Sequence, residues 1–233
     1  MDIYLLMINF MRAKLVILCM ALLITSYLHG QGNRPQYIFY RDQQLWLSYN
    51  FQNKLNDKWG FGLDANYRSG NYIRDYYQSL ARIGFNYFQS PSLVFSFGYA
   101  LLIPVQRTEF RISNEHRLWQ QMMFVNRNEK RDIFYRFRLE QRKFVYNYSR
   151  EDGFYNRARF AFIWQRHLGK KLDFIFSNEI MFQFGYYRRL LSPIIYEQNR
   201  ITAGFKIHAS KFLNFDLAYM YVLQYRNIGW EYN

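Results

Sequence analysis

The stretch Trp59-Gly60-Phe61-Gly62-Leu63-Asp64-Ala65-Asn66-Tyr67-Arg68 decides the fold. Its odd positions are apolar and its even positions are small or polar. Successive side chains of a β-strand point to opposite faces, so this run has one greasy face and one polar face. Leu93, Phe95, Phe97, Tyr99 and Leu101 repeat the pattern, as do Leu213, Phe215, Leu217, Tyr219, Tyr221, Leu223 and Tyr225. Runs this long, aromatic and numerous carry the signature of an all-β, antiparallel transmembrane β-barrel of the outer-membrane type. A soluble β-sandwich or lipocalin-like barrel also alternates. Its strands, however, are usually about 5–6 residues long, and the apolar parity here is too aromatic for a small core.

Composition agrees. The chain has 233 residues, enough for one domain, and its 22 Tyr and 23 Phe outweigh 12 Gly and 4 Pro. Aromatic side chains pack well on a pleated surface. No apolar run reaches the roughly 18 residues that a membrane helix needs. Residues 1–30 read as a secretory signal peptide, with Arg12 and Lys14 as the positive flank and Leu15 to Leu28 as the apolar stretch. Cleavage near Gly30–Gln31 would leave residues 31–233 as one barrel domain destined for the outer membrane. The one cysteine, Cys19, falls inside the signal. A mature chain without thiols suits an oxidising compartment and holds no thiolate metal site. Metal-ligand spacing and phosphate-cradling glycine loops are also absent from the sequence, so no metal or cofactor is expected.

The net charge is +14. Its Arg and Lys residues are spread over many strands rather than gathered in one patch, which points away from nucleic acid. In an outer membrane the natural acidic partners are lipid, lipopolysaccharide phosphates and small anionic solutes. The barrel-assembly machinery is the expected partner during biogenesis.

Short turn signals begin at Asn53, Gln89, Asn126, His167 and Ala209. Each interval has room for two strands and one longer loop, the proportions of barrel hairpins. The strands are expected at 43–52, 59–68, 76–88, 93–102, 113–125, 133–144, 154–166, 172–184, 196–208 and 212–226. Longer loops are expected near Ser69–Asp75, Ile103–Ile112, Val145–Gly153 and Gly185–Ile195. If the short turns face the periplasm, the first of these strands runs downward and the last runs upward. That parity favours a twelve-strand design, with Pro35–Asp42 as an extra first strand and the final strand absent or degenerate. A ten-strand barrel is the simpler alternative.

The polar parity carries Glu115, Arg117, Trp119 and Gln121, then Arg136, Arg138, Glu140 and Arg142. It continues with Arg157 and Arg159, with Asp173 and Glu179, and with Gln198, Arg200 and Lys206. Isolated charges facing lipid cost about 2–4 kcal/mol each near the midplane, so this parity is assigned to the lumen. One reading of the Arg-rich wall is a track for anions, because guanidinium groups bind carboxylate and phosphate in forked geometry. The other is a plug in which Arg and Glu of neighbouring strands pair, with Glu115, Glu140 and Glu179 as compensating charges. Barrels of about eight strands are filled by side chains, whereas sixteen or more leave a channel. Ten to twelve lies between, and the plug is favoured.

Catalysis has one candidate. His208-Ala209-Ser210 is a His-x-Ser triplet like that of outer-membrane phospholipases and lipid A deacylases. Such chemistry needs a base hydrogen-bonded to the serine and a third orienting group. The triplet sits in a short turn followed by Lys211-Phe212, so a polar hairpin turn is the expected role and a lipid hydrolase the alternative. His116 lies on the outward parity, and His167 opens a glycine-containing turn. A third class is an accessory barrel that carries a protein partner on the Gly185–Ile195 segment.

Several motifs in succession resemble one family. They are Trp46 with Asn53-Lys54-Leu55-Asn56-Asp57-Lys58-Trp59, then Asn114-Glu115-His116-Arg117-Leu118-Trp119-Gln120-Gln121. Arg136-Phe137-Arg138-Leu139-Glu140-Gln141-Arg142, Asn178-Glu179 and Glu197-Gln198-Asn199-Arg200 follow in order. The chain resembles the Bacteroidetes outer-membrane barrels grouped as domain of unknown function 2490, over nearly all of its mature length. The resemblance implies an outer-membrane barrel and no particular activity.

Overall fold

The computed structural model describes residues 43–104, 112–146, 153–187 and 190–224. Ten strands account for almost all of them. They are β1 (Leu45–Lys54), β2 (Trp59–Gly70), β3 (Asp75–Ser90), β4 (Leu93–Pro104) and β5 (Ile112–Arg127). β6 (Arg131–Tyr146), β7 (Gly153–His167), β8 (Leu172–Tyr187), β9 (Leu190–His208) and β10 (Asn214–Gln224) complete the set. They form one sheet in sequence order, each strand antiparallel to the next. The all-β antiparallel fold and its ten clear strands are those expected from the alternation. Residues 1–30, Pro35–Asp42 and the stretch after Gln224 lie outside the described residues.

β2 to β9 outrun their expected lengths, and two loops shrink as a result. Ser69–Asp75 is a tight turn: β2 runs to Gly70, β3 starts at Asp75, and Arg74 N–H donates to the Asn71 carbonyl at 3.3 Å. Asn71, Tyr72 and Ile73 all have positive φ, at 51°, 57° and 70°. The left-handed region costs L-residues roughly 1–2 kcal/mol each, so alternation alone gave no sign of this turn. Gly185–Ile195 is mostly strand, because β8 extends to Tyr187 and β9 begins at Leu190.

The sheet is curled. Arg200 of β9 lies over the ring of Trp46 in β1, 4.9 Å from its centroid, although β1 and β9 are far apart in strand order. Apolar side chains cover the convex face. Phe97 is 50 % exposed, Leu118 58 % and Leu217 76 %. Polar groups on that face satisfy one another: Gln120 and Gln141 exchange two amide hydrogen bonds of 3.1 Å, and Asn178 donates to Asn199 at 3.0 Å.

A single register row explains how the concave face is filled. Gly62, Gly84 and Gly98 are successive cross-strand partners, followed by Trp119, Glu140 and Arg157. The three glycines leave a bare floor, and the Trp119 indole lies on it. A Cβ built at Gly84 would sit 2.3 Å from the indole Cζ2. At Gly98 it would sit 2.8 Å from the same atom and 2.7 Å from the Gly84 Cα. Glycine is needed there for close approach rather than for an unusual φ.

Candidate functional site

The concave face carries a connected ionic network built by strand parity. Alternate residues of β5, β6, β7 and β8 point inward, and the antiparallel register sets their carboxylates among guanidiniums. Glu140, on β6, is only 1 % exposed. It accepts from Arg159 Nη1 at 2.7 Å and from Arg157 Nη1 at 3.4 Å. Arg138 Nη1 and Arg117 Nη1 stand 3.9 and 4.0 Å away. One carboxylate therefore sits inside four positive charges, with no water-facing side.

The network extends from there in both directions. Glu179 of β8 accepts from Arg159 Nε and Nη2 at 3.0 and 2.9 Å and from Arg136 Nη2 at 2.6 Å. Arg136 reaches it across β7 because the residue between them in that register row is Ala161. Glu115 of β5 takes a fork from Arg117, at 2.6 and 3.0 Å, and another from Arg142. Forked guanidinium–carboxylate pairs are the strong ones, and they fix geometry as well as charge. Arg138 gives both Nε and Nη2 to Gln121 Oε1, at 3.0 and 2.6 Å, and stacks on Trp119 at 4.8 Å.

Every residue assigned to the lumen by sequence faces this interior. Glu115, Arg117, Arg138, Glu140, Arg142, Arg157, Arg159 and Glu179 are buried, while Arg136 and Arg200 are half-buried. One central member escaped sequence reading. Glu197 accepts from Arg157 Nε and Nη2 at 2.7 and 2.5 Å and from Arg142 Nη1 at 3.3 Å. Parity counted from Gln198 and Arg200 puts it outside. The register between β8 and β9 shifts here: Met181 faces Gln198 while Phe182 faces Tyr196, so Glu197 is the extra residue of a bulge. The bulge turns Glu197 and Gln198 to the same side. A carboxylate next to Gln-x-Arg was the one available signal.

At the short-turn ends of β7, β8 and β9 a second polar cluster gathers around Asp173. Its Oδ1 faces His167 Nδ1 at 2.9 Å, and its Oδ2 receives Gln165 Nε2 at 2.5 Å and faces His208 Nε2 at 2.6 Å. The other nitrogen of His208, Nδ1, faces Asn214 Oδ1 at 2.7 Å. Ser210 is turned away from His208: its Oγ accepts from the Phe212 and Leu213 N–H groups at 3.2 and 3.1 Å. The triplet thus forms a serine-capped turn beside a histidine whose two nitrogens are both engaged elsewhere. His116, on the outer face, pairs with the Tyr99 hydroxyl at 2.5 Å.

His208 is the last residue of β9 and lies beyond the central span of the sheet. Its imidazole is shifted above its ordinary value by hydrogen bonds to Asp173 first and Asn214 second. The folded state therefore favours the protonated ring. That contribution is present below the ordinary value of about 6.5 and is lost as pH rises through the raised one. Solvent screening keeps it small, because the side chain is 32 % exposed. In denaturant titrations across this range, the stability gap between wild type and His208→Gln is expected to narrow with rising pH. A gap independent of pH would contradict the assignment.

With this geometry in place, the comparison of the chain with protein families gives one match. The family described as "Protein of unknown function (DUF2490)" matches residues 43–233, and the chain belongs to it. No curated protein matches the chain significantly.

Proposed function

We propose that this member of the family is an integral outer-membrane barrel with an occluded lumen, a structural or interaction barrel rather than an open anion pore. The observation that carries the reading is Glu140, buried to 1 % among four guanidiniums in the middle of the concave face. An anion track needs positive groups free to exchange ligands with passing solutes. Here the central guanidiniums are already committed to fixed carboxylates, several in forked pairs.

Placement in a membrane is supported by the inversion of the fold. Charged side chains fill the concave face, while Leu118, Phe97 and Leu217 are exposed on the convex one. Soluble monomers rarely expose contiguous apolar surface beyond a few hundred Å². Strands of 10–19 residues also meet or exceed the roughly 9–11 that a tilted strand needs to cross. Paired aromatics toward the strand ends, Trp59 with Tyr87 at 5.0 Å and Tyr67 with Tyr76 at 5.3 Å, suit the two interfaces. The signal peptide read at residues 1–30 supplies the route.

Single-channel recording in a planar bilayer tests the proposal. The folded wild type is expected to be silent. Arg138→Glu, which places a second anion beside Glu140, is expected to open a leaky, fluctuating conductance or to weaken the fold. A steady, anion-selective current from wild type would overturn occlusion and restore the anion-pore reading.

A further inference from the structure

The inward charges do not balance. Among the described residues, inward carboxylates include Asp64, Glu115, Glu140, Glu179 and Glu197, with Asp173 at the short-turn end, and inward guanidiniums outnumber them. Most guanidiniums have a close carboxylate. Among the described residues Arg68 has none; Arg200, much like Arg138 with Glu140 at 3.9 Å, has only Glu179 at 3.8 Å, with its Nη2 given to Gln198 Oε1 at 3.2 Å. Both have a fully buried Nε with no hydrogen-bond partner. A buried donor left unpaired is costly, and more so on a charged group.

These two under-compensated cations meet at one place. Arg68 of β2 lies over the Trp46 ring with its Cζ 3.8 Å from the centroid, and Arg200 of β9 approaches the same ring at 4.9 Å. Their charges are therefore less than about 9 Å apart, a span that one oxyanion can serve with forked bonds. A π-face softens the repulsion between two guanidiniums but accepts none of their N–H bonds. The place is where Arg200 reaches across the concave face to Trp46, at the margin of the paired network, since Glu179 beside Arg200 also pairs with Arg159.

We infer that Arg68 and Arg200, gathered on Trp46, form a binding site for an oxyanion of the phosphate or carboxylate class. Planar guanidiniums match such groups in geometry and charge, and each of these two keeps an Nε without a partner. The ligand supplies the acceptors that the described residues do not. The inference rests on the inward assignment used for the proposed function, but not on occlusion.

The test uses the protein folded in zwitterionic detergent, with folding confirmed by heat-modifiable migration on a gel. Inorganic phosphate is titrated calorimetrically, with chloride at equal ionic strength as the control. Wild type is expected to bind phosphate above the chloride control. Arg68→Gln and Arg200→Gln are each expected to weaken binding at least tenfold, and the double variant to abolish it. If Arg68→Gln fails to fold, Arg68→Lys keeps the charge without the fork and is expected to bind more weakly than wild type.

A second arm distinguishes the source of the phosphate. Wild type and the double variant are unfolded in phosphatidylcholine vesicles with and without phosphatidylglycerol. Stabilisation of wild type alone by the anionic lipid, with no response to inorganic phosphate, would assign the site to a lipid phosphodiester. Equal behaviour of wild type and the double variant in both arms would overturn the site. A silent barrel that ignores phosphate sinks only this inference, and a conducting barrel that binds it sinks only the occlusion.

Discussion

Glu140→Gln is expected to cost about 3–5 kcal/mol, the range seen when one partner of a buried ion pair is removed. The replacement keeps shape and some hydrogen bonding but deletes the negative charge. Arg117, Arg138, Arg157 and Arg159 then surround a neutral amide, with no solvent to screen them. The nearest remaining anions, Glu115, Glu179 and Glu197, are already shared among Arg117, Arg136, Arg142, Arg157 and Arg159. The expected result in urea titrations from lipid vesicles is a much lower midpoint, or no folded band on a gel. Wild-type stability in Glu140→Gln would mean that these guanidiniums are solvated, and the interior open.

The second large effect is on the opposite face. Leu118 is the residue before Trp119, yet it points outward and is 58 % exposed. On a soluble protein, replacing an exposed leucine by arginine changes stability by about ±0.5 kcal/mol at most. On a lipid-facing strand near the midplane the same change costs about 2–4 kcal/mol. β5 runs from Ile112 to Arg127, so Leu118 is close to its centre. Leu118→Arg is therefore expected to lower the unfolding midpoint in vesicles strongly, while Leu118→Phe leaves it nearly unchanged. Equal stability of the Arg and Phe variants would place that face in water.

Much of this molecule is legible in its sequence because one signal repeats on every strand. A period of two assigns each residue to a face, and inverting the usual rule, with charge inside and aromatics outside, selects the barrel class. That logic placed Arg138, Glu140 and Arg159 in the interior with no knowledge of register. It failed at Glu197 because a bulge adds one residue and flips parity on one side of it. It located the connection at Ser69–Asp75 but not its tightness, because three consecutive left-handed residues that are not glycine leave no compositional mark. It also gave no partner for any charge. Which Arg meets which Glu depends on register and reach, as when Arg136 passes over Ala161 to Glu179. The contact between Arg200 and Trp46 was invisible for the same reason: the two side chains reach each other only when the sheet curls.

Leu118 and Trp119 are neighbours that face opposite sides of the wall, and one measurement can exploit this. A variant retaining Trp119 as its sole tryptophan is compared with one carrying Leu118→Trp and Trp119→Phe, also with no other tryptophan. Both are folded into vesicles of phosphatidylcholine brominated along its acyl chains, which quenches indole fluorescence on contact. The account predicts strong quenching at position 118 and almost none at position 119. Equal quenching at both positions, or quenching at 119 alone, would contradict a charged interior enclosed by a lipid-facing apolar wall.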